Sequence, residues 1–264
     1  MTPHKFASLR RTVQLSPDTR QHRGAHPADR HLFSEDQLPV LRTATTELSW
    51  LLSREYQMKS SLKLVGDRFS LTERQRLAVS RAACPDASLR RRNEHYASIE
   101  EIRNEQIVVD GFNLIITIEA ALSGGVLILG KDQCIRDLAS VHGSYRSVQE
   151  TRQAISLIGA ELQQLGPRAV TWLLDRPISN SGRLARKIEE IATENGWPWN
   201  VRVVFNPDAE IMSSSQIAIT SDSSILDRVE RWTNLKAYLL AQRLPEAWLL
   251  DLRNVGAQTN ARGN

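Results

Sequence analysis

The sequence lacks most of the features that identify common classes of protein. Only Cys84 and Cys134 are present among 264 residues, and no C-x-x-C pair occurs. Two such thiols argue against a disulfide framework or a thiolate zinc site and favour a reducing compartment. No apolar run approaches the ~18 residues that span a bilayer, and residues 1–31 lack the apolar core of a secretion signal. We therefore expect a cytoplasmic protein with no membrane partner.

Several enzyme signatures are also missing. The chain has neither the Gly-x-x-x-x-Gly-Lys-Ser/Thr loop of P-loop NTPases nor the Gly-x-Ser-x-Gly elbow of serine hydrolases. A haloacid-dehalogenase-type phosphohydrolase needs Asp-x-Asp after its first strand, but Asp110 is followed by Gly111 and Phe112. These three classes of enzyme are therefore disfavoured.

The composition is that of an ordinary globular protein. Hydrophobic residues make up 41% and charged residues 24% of the chain, which suits one large domain or two small ones. The formal net charge of +4 permits attraction to phosphate backbones. Because many cytosolic proteins share this charge, nucleic-acid binding needs further evidence.

The chain divides into four regions. Residues 1–33 carry six Lys and Arg against two Asp and show no apolar periodicity, which predicts a disordered basic arm, either solvated or in contact with nucleic acid. Leucines at helical spacing predict a helical module over 34–95, either a packing unit or a DNA-reading pair of helices. Within it, Arg90-Arg91-Arg92 predicts a solvated loop or one that flanks a cleft. An α/β domain over 105–253 and a frayed tail over 254–264 complete the prediction.

Short apolar runs alternate with helical segments from residue 105 onward. The predicted strands are 107–109, 126–129, 169–174, 201–205 and 216–220, with 247–252 as a last strand or a final helix. The predicted helices are 132–139, 147–165, 181–194 and 223–242. Continuous apolar strands that alternate with helices predict a parallel sheet in a three-layer α/β fold, preceded by the small all-helical module.

Four aspartates fall at the ends of predicted strands. Asp110 and Asp175 directly follow predicted strands. Asp208 comes three residues after the strand over 201–205, and Asp222 comes two residues after the strand over 216–220. The carboxyl ends of parallel strands lie along one edge of a sheet, where ligands bind. Converging carboxylates repel unless a cation offsets them, and oxygen ligands favour Mg²⁺ or Mn²⁺. Each Asp alone is also an ordinary cap or turn residue, but together they predict a shared metal site suited to phosphodiester cleavage.

Three motifs resemble a known family. Asp110-Gly111-Phe112-Asn113-Leu114 resembles the opening Asp-Gly-x-Asn motif of the PIN-like nucleases, especially their NYN branch. Residues 207–211 resemble the internal motif in which an Asp begins a helix, and residues 219–223 resemble the later Thr/Ser-x-Asp motif. Asp175 falls where the family can place another acid. The resemblance covers about residues 106–240, and residues 38–92 resemble the helical part of an uncharacterised prokaryotic family that joins such a module to a PIN-like domain.

The resemblance implies a PIN-like (Rossmann-like) domain that uses Mg²⁺ or Mn²⁺ to hydrolyse RNA. Asp110, Asp208 and Asp222 are then the metal ligands, and Asp175 is a fourth ligand or an outer-shell base. Members of the family often pair, so the resemblance leaves a homodimer open.

The sequence departs from the family at two acids. The acid on the early helix has no clear match except Glu119, which fits by position only. Ser223 and Ser224 stand where many relatives have a further Asp, and Asp227, one helical turn on, is the candidate substitute. The missing acids favour an alternative in which a catalytically weak or inactive PIN-like module binds RNA or protein.

Several polar side chains are candidate substrate contacts. Asn113 would orient Asp110 or touch the scissile phosphate, and Ser221 offers a hydroxyl and an N–H near the same edge, although both also suit helix caps. The segment around Ser181 and Arg183 opens a helix whose free N–H groups would suit a phosphate. The arginines predicted to contact substrate are Arg136, Arg146 and Arg176, since a guanidinium group can hold a phosphate. A salt-bridged helix is the alternative explanation of the charges over 132–146, and Asp132 is a further candidate for the metal site.

Overall fold

The structure is a computed structural model that describes residues 22–139, 143 and 145–253. Residues 1–21 of the predicted arm and the predicted tail over 254–264 lie outside this described part. None of the helices within it has the length and apolar character needed to cross a bilayer, and the cytoplasmic location stays a prediction.

The N-terminal region is helical, as its leucine spacing predicts. It contains α1 (Asp29–Leu32), α2 (Leu38–Leu52), α3 (Met58–Arg68), α4 (Glu73–Ala82) and α5 (Asp86–Glu94). Leu41 and Leu48 are fully buried because they lie two turns apart on one face of α2. Thr72 caps α4 by accepting from the N–H of Gln75, whose side chain accepts in return from the N–H of Thr72.

An α/β domain follows the helical region. Its elements are β1 (Gln106–Asp110), α6 (Gly111–Leu122), β2 (Leu127–Leu129), β3 (Ile135–Asp137), α7 (Thr151–Leu165), β4 (Ala169–Asp175), α8 (Ser181–Asn195), β5 (Trp199–Val204), α9 (Pro207–Met212), β6 (Ile217–Ile219), α10 (Ser223–Leu226), α11 (Leu235–Arg243) and β7 (Leu249–Asp251). Short 3₁₀ turns over Glu35–Gln37 and Ile99–Ile102 precede α2 and β1.

The main sheet has four parallel strands in the order β5-β4-β1-β6. From β1 the chain moves outward through β4 to β5 and then returns to the other side of β1 to form β6. The direction of winding therefore reverses beside β1, and such a switch point leaves a crevice at the carboxyl ends of the strands. The loops after β1 and β6 border this crevice.

Both faces of β1 and β6 are buried, which explains their continuous apolar runs, whereas the edge strand β5 has Asn200 and Arg202 exposed. In β1, Ile107 and Val109 pack into the larger core, whereas Val108 points to the opposite core. In β4, Leu174 packs into the larger core and Leu173 into the opposite core. Helices α6, α7 and α8 cover one face, and α9 and α10 cover the other, so the predicted three-layer parallel-sheet architecture is confirmed.

A second sheet joins the helical region to the α/β domain. It has the order β3-β2-β7, with β2 antiparallel to β3 and parallel to β7. Ile128 and Leu250 of this sheet belong to the same hydrophobic cluster as Leu41 and Val79 of the helical region. The predicted strand over 126–129 is thus present, but it lies outside the main sheet, and residues 247–252 contribute a strand.

The predicted helix over 132–139 is wrong. A turn brings the N–H of Gly130 to 3.0 Å from the carbonyl of Cys134, and Gln133 there has a φ of 63°. Ile135–Asp137 then pairs with β2. The four-residue spacing of Asp132 and Arg136 suggested a helical ion pair, but the two side chains meet across this turn.

The helices predicted over 223–242 are α10 and α11, and a non-helical segment separates them. Trp232, between them, forms a backbone bridge to Ala218 and donates from its indole nitrogen to the carbonyl of Arg92 at 2.8 Å. Because Trp232 is buried in these contacts, the residues around it do not continue a helix.

Residues 22–33 differ from the expectation of a loose arm. Arg23 is buried and forms an ion pair with Glu119 of α6, and Asp29 is buried and paired with Arg74 of α4. Arg23 and Asp29, expected to lie in a solvated tail, therefore form buried ion pairs.

Candidate functional site

A cavity of about 630 Å³ opens at the carboxyl edge of the main sheet. The four predicted strand-end acids line it together: Asp110, Asp175, Asp208 and Asp222. Phe112, Ile116 and Ile178 supply apolar wall, and Ser80 and Arg81 reach the cavity from α4 of the helical region. The cavity is thus built by both parts of the chain, with the switch point of the sheet at its base.

Asp110 ends β1 and caps α6. Its Oδ1 accepts from the N–H of Asn113 at 3.4 Å, and its Oδ2 accepts from the hydroxyl of Thr220 at 2.8 Å. Burial raises the pKa of Asp110 to about 6, and the negative charge of Asp222 adds to the rise. The Thr220 hydrogen bond and the charge of Lys236 oppose it. The carboxyl therefore titrates near neutrality.

Asp222 follows β6 and caps α10. Its Oδ1 accepts from the N–H of Ser224 at 2.7 Å and from the hydroxyl of Ser224 at 2.6 Å. Its own N–H donates to the hydroxyl oxygen of Thr220 at 3.0 Å. Thr220 thus links the two acids. Asp222 both caps α10 and lines the cavity.

Asp208 and Asp175 complete the acidic wall. Asp208 lies in the first turn of α9, which Asn206 caps, and burial together with the charges of Asp222 and Asp175 raises its pKa. Burial also raises the pKa of Asp175, whose Oδ1 is buried and has no hydrogen-bond partner among the described residues. Mutual repulsion shows that the carboxylates share one electrostatic environment.

A buried lysine beneath the acids was not predicted. The Nζ of Lys236 donates to the hydroxyl of Ser221 at 2.7 Å and to that of Thr117 at 2.9 Å, and Thr117 donates to Asp137 at 2.7 Å. Burial lowers the pKa of Lys236 to about 8, against the attraction of Asp137 and Asp110. Its signal in the sequence is a lone lysine in the apolar segment that forms α11.

Asn113 and Ser221 connect α6 to the loop after β6. The side-chain oxygen of Asn113 accepts from the N–H of Ser221 at 2.9 Å and from its hydroxyl at 3.2 Å. Ser221 is 2% exposed, so its hydroxyl and N–H serve this loop. The structure gives Asn113 and Ser221 a positioning role, and because both also line the cavity, the substrate contacts predicted for them stay predictions.

Arg136 does not have the free guanidinium that phosphate binding requires. It forms a bidentate ion pair with Asp132 at 3.0 and 2.7 Å and donates to the carbonyls of Ser221 and Arg81. Asp132 also pairs with the buried Arg92, so it is no candidate metal ligand, and its pKa is low because these arginines outweigh burial. The network fixes the acid-bearing loop against the helical region.

Arg92 also corrects the interpretation of the triple arginine. The three residues lie in α5, and Arg92 is 2% exposed. It donates to Asp227 at 2.7 Å and to the carbonyl of Ser223. Asp227 is therefore engaged with Arg92 and lies outside the cavity lining, so the structure does not place it as a substitute acid.

Glu119 is also separated from the four acids. It is fully buried, pairs with Arg23, and accepts from Tyr145 and Thr151 at 2.5 Å. It does not line the cavity, so the position-based match to an early-helix acid is wrong. Its side chain anchors the segment around Arg23 to the α/β domain.

The structure also separates the remaining predicted substrate contacts. The hydroxyl of Ser181 is buried and donates to the carbonyls of Asp175 and Ile178, so it is not presented to a ligand. Arg146 and Arg183 are exposed and do not line the cavity. Arg176 is exposed beside Asp175, and its guanidinium lies over the ring of Phe205.

The acids do not form a preassembled metal cage. Within the described part of the chain, no three His, Cys, Asp or Glu side chains are arranged to hold one ion together. The cavity instead offers carboxylate groups on separate elements. Such a donor set suits a hydrated hard cation held through one or two carboxylates.

Comparisons with known proteins agree with the two regions of the fold. Residues 40–95 match the family described as Protein of unknown function (DUF434). An uncharacterized protein of Methanocaldococcus jannaschii is 30% identical over 186 residues, which cover 70% of this chain and 88% of that protein. No solved structure matches the chain significantly. Residues 99–238, more than half of the chain, match the model described as Domain of unknown function (DUF5616), and the chain belongs to this family.

Proposed function

We propose that the protein is a divalent-metal-dependent nuclease that hydrolyses RNA phosphodiester bonds, with a PIN-like α/β domain as its catalytic part. The observation that carries the proposal is that Asp110, Asp175, Asp208 and Asp222, which come from four different segments of the chain, line one cavity. Burial, with a further contribution from the neighbouring acids, raises the pKa values of Asp110 and Asp208, so a cation would stabilise their charged forms.

The cofactor proposed for this site is Mg²⁺ or Mn²⁺. Asp110, Asp208 and Asp222 would hold it directly or through water, because Mg²⁺ keeps several waters and uses few protein carboxylates. When bound, such an ion activates water and stabilises charge on a phosphoryl group.

The residues of the chain prepare this chemistry. Thr220 fixes Asp110 relative to Asp222, and Arg136 and Asn113 hold the loop that carries Asp222. Asp175 lines the cavity and would act as the base, since burial raises its pKa and makes it a stronger base.

A second candidate is a PIN-like module that binds RNA or protein without cutting. The observation that favours it is the placement of Glu119 and Asp227, which leaves the cavity without both candidate substitutes for the missing acids. The absence of a three-acid cluster among the described residues points the same way.

The experiment is cleavage of labelled RNA with EDTA, Mg²⁺ or Mn²⁺, using the wild type, Asp110→Asn and Asp222→Asn. Asparagine preserves both helix caps, so the fold should remain while turnover falls at least 100-fold, the size of a lost group that acts in the transition state. Asp36→Asn, at an exposed position of the helical region, is the control. Unchanged cleavage in both cavity variants would exclude this site, and metal-independent binding without turnover would select the second candidate.

A further inference from the structure

The side chain of Phe205 is exposed to an extent that packing does not explain. It follows β5 and is 72% exposed, more than any other large apolar side chain among the described residues. The guanidinium carbon of Arg176 lies 4.5 Å from the centroid of its ring. An aromatic ring and an arginine held together in solvent form a surface on which a planar group can stack.

The Phe205–Arg176 pair lies within a few residues in sequence of two acids that line the cavity. Arg176 directly follows Asp175, and its N–H donates to the carbonyl of Val204 at 2.7 Å, which brings the ends of β4 and β5 together. On the other side, Phe205 precedes the turn that places Asp208 in the cavity wall. The pair is therefore flanked in sequence by two of the acids, Asp175 on β4 and Asp208 on α9.

We propose that Phe205 and Arg176 form a base-stacking platform that selects single-stranded RNA for the acidic cavity. This inference rests on the proposed nuclease function and names its substrate class. Any base presents a flat face, so stacking binds unpaired nucleotides with little regard to sequence. A duplex keeps its bases inside the helix, and it cannot offer one to the platform without unstacking it.

The test measures binding of a fluorescently labelled, unstructured 12-nucleotide RNA in EDTA, which separates binding from metal-dependent cleavage. Phe205→Ala should weaken binding about 5- to 100-fold, the range for loss of one base–aromatic stack. Phe205→Trp should restore it. Trp50→Ala is the matched control because Trp50 is 53% exposed and also lies beneath an arginine, but in α2.

An abasic series identifies the stacked nucleotide. Removing the base at one position should weaken wild-type binding as much as Phe205→Ala does, and the variant should then show no further loss. A fully paired RNA should bind the wild type and Phe205→Ala alike. Equal binding of the single strand to both proteins, or loss with Trp50→Ala alone, would overturn the platform.

Cleavage assays distinguish this inference from the proposed function. Metal-dependent cleavage that is lost in Asp222→Asn but unaffected by Phe205→Ala would support the nuclease and overturn the platform. Phe205-dependent binding of single-stranded RNA without metal-dependent cleavage would support the platform and overturn the nuclease.

Discussion

The hydroxyl of Thr220 donates to Oδ2 of Asp110 at 2.8 Å, although the two residues are 110 positions apart. The hydroxyl oxygen of Thr220 also accepts from the N–H of Asp222 at 3.0 Å. One hydroxyl therefore connects the carboxyl ends of β1 and β6 and sets the distance between two acids of the cavity.

Thr220→Val tests this connection. Loss of a hydrogen bond to a carboxylate should lower the free energy of unfolding at pH 7 by about 1.5–3 kcal/mol. Because that bond lowers the pKa of Asp110, its loss should move the acidic limb of the pH–rate profile for RNA cleavage toward higher pH. Thr220→Ser retains the hydroxyl and should leave both denaturant unfolding and the pH profile near those of the wild type. A wild-type profile in Thr220→Val would contradict the connection.

The raised pKa of Asp110 predicts a pH dependence of stability. A carboxyl whose pKa rises from 3.8 to about 6 on folding favours the folded state below pH 3.8, and this contribution is lost as pH rises through 6. Asp110→Asn should match the wild type near pH 4 and exceed it at pH 7 by roughly 1–3 kcal/mol, or several degrees in Tm. Thermal melts between pH 4 and pH 8 measure the difference.

The control for this prediction is Asp36→Asn, whose exposed side chain should give melts parallel to those of the wild type. A pH-independent difference between Asp110→Asn and the wild type would show that burial does not penalise the Asp110 charge. Addition of 5–10 mM Mg²⁺, on the order of a weak-site dissociation constant, should stabilise the wild type more than Asp110→Asn.

Arg92 and Arg90 provide a matched pair within one arginine run. Arg92 is buried against Asp132 and Asp227, whereas Arg90 is exposed. Arg92→Met should cost about 3–5 kcal/mol because it leaves buried Asp132 with one arginine fewer, whereas Arg90→Ala should change stability by no more than ~0.5 kcal/mol. Denaturant unfolding gives both values, and similar losses in the two variants would refute the network.

Variants of Glu119 and of its partner Arg23 test whether Glu119 is a structural or a catalytic acid. Arg23→Ala should lower the free energy of unfolding by about 3–5 kcal/mol, since it leaves the buried Glu119 carboxylate without its cation. His22→Ala, at the neighbouring exposed position, should cost at most ~1 kcal/mol. Glu119→Gln should retain metal-dependent cleavage in whatever fraction is folded. Loss of cleavage with unchanged stability in Glu119→Gln would instead make Glu119 a member of the site.

The alternation of apolar runs and helical segments was sufficient to predict the three-layer parallel sheet, because strands covered on both faces must be apolar at every position. It also predicted that Asp110, Asp175, Asp208 and Asp222 would come together, because parallel strands end at one edge. It was insufficient for residues 132–139, since Asp132 and Arg136 have the spacing of a helical ion pair although Ile135–Asp137 pairs with β2.

Side-chain partners were the least predictable part of the site. Arg136 and Ser181 have the residue types of ligand contacts, yet their hydrogen bonds go to Asp132, to Ser221 and to backbone carbonyls. Lys236 lies in an apolar segment, and nothing in its neighbours in the chain indicates that it would meet Ser221 and Thr117.

The sequence by itself determined the helical region, the strands of the main sheet and the positions of the four acids at strand ends, because these follow from local periodicity and chain direction. Only the tertiary structure decided which charges are neutralised internally. Arg23 and Arg92 are attracted to Glu119 and Asp132 once folding removes water from around them, whereas the acids at the edge of the sheet line a cavity without a paired arginine or lysine in the described part of the chain. Such pairings depend on distance in space, which the order of residues along the chain does not specify.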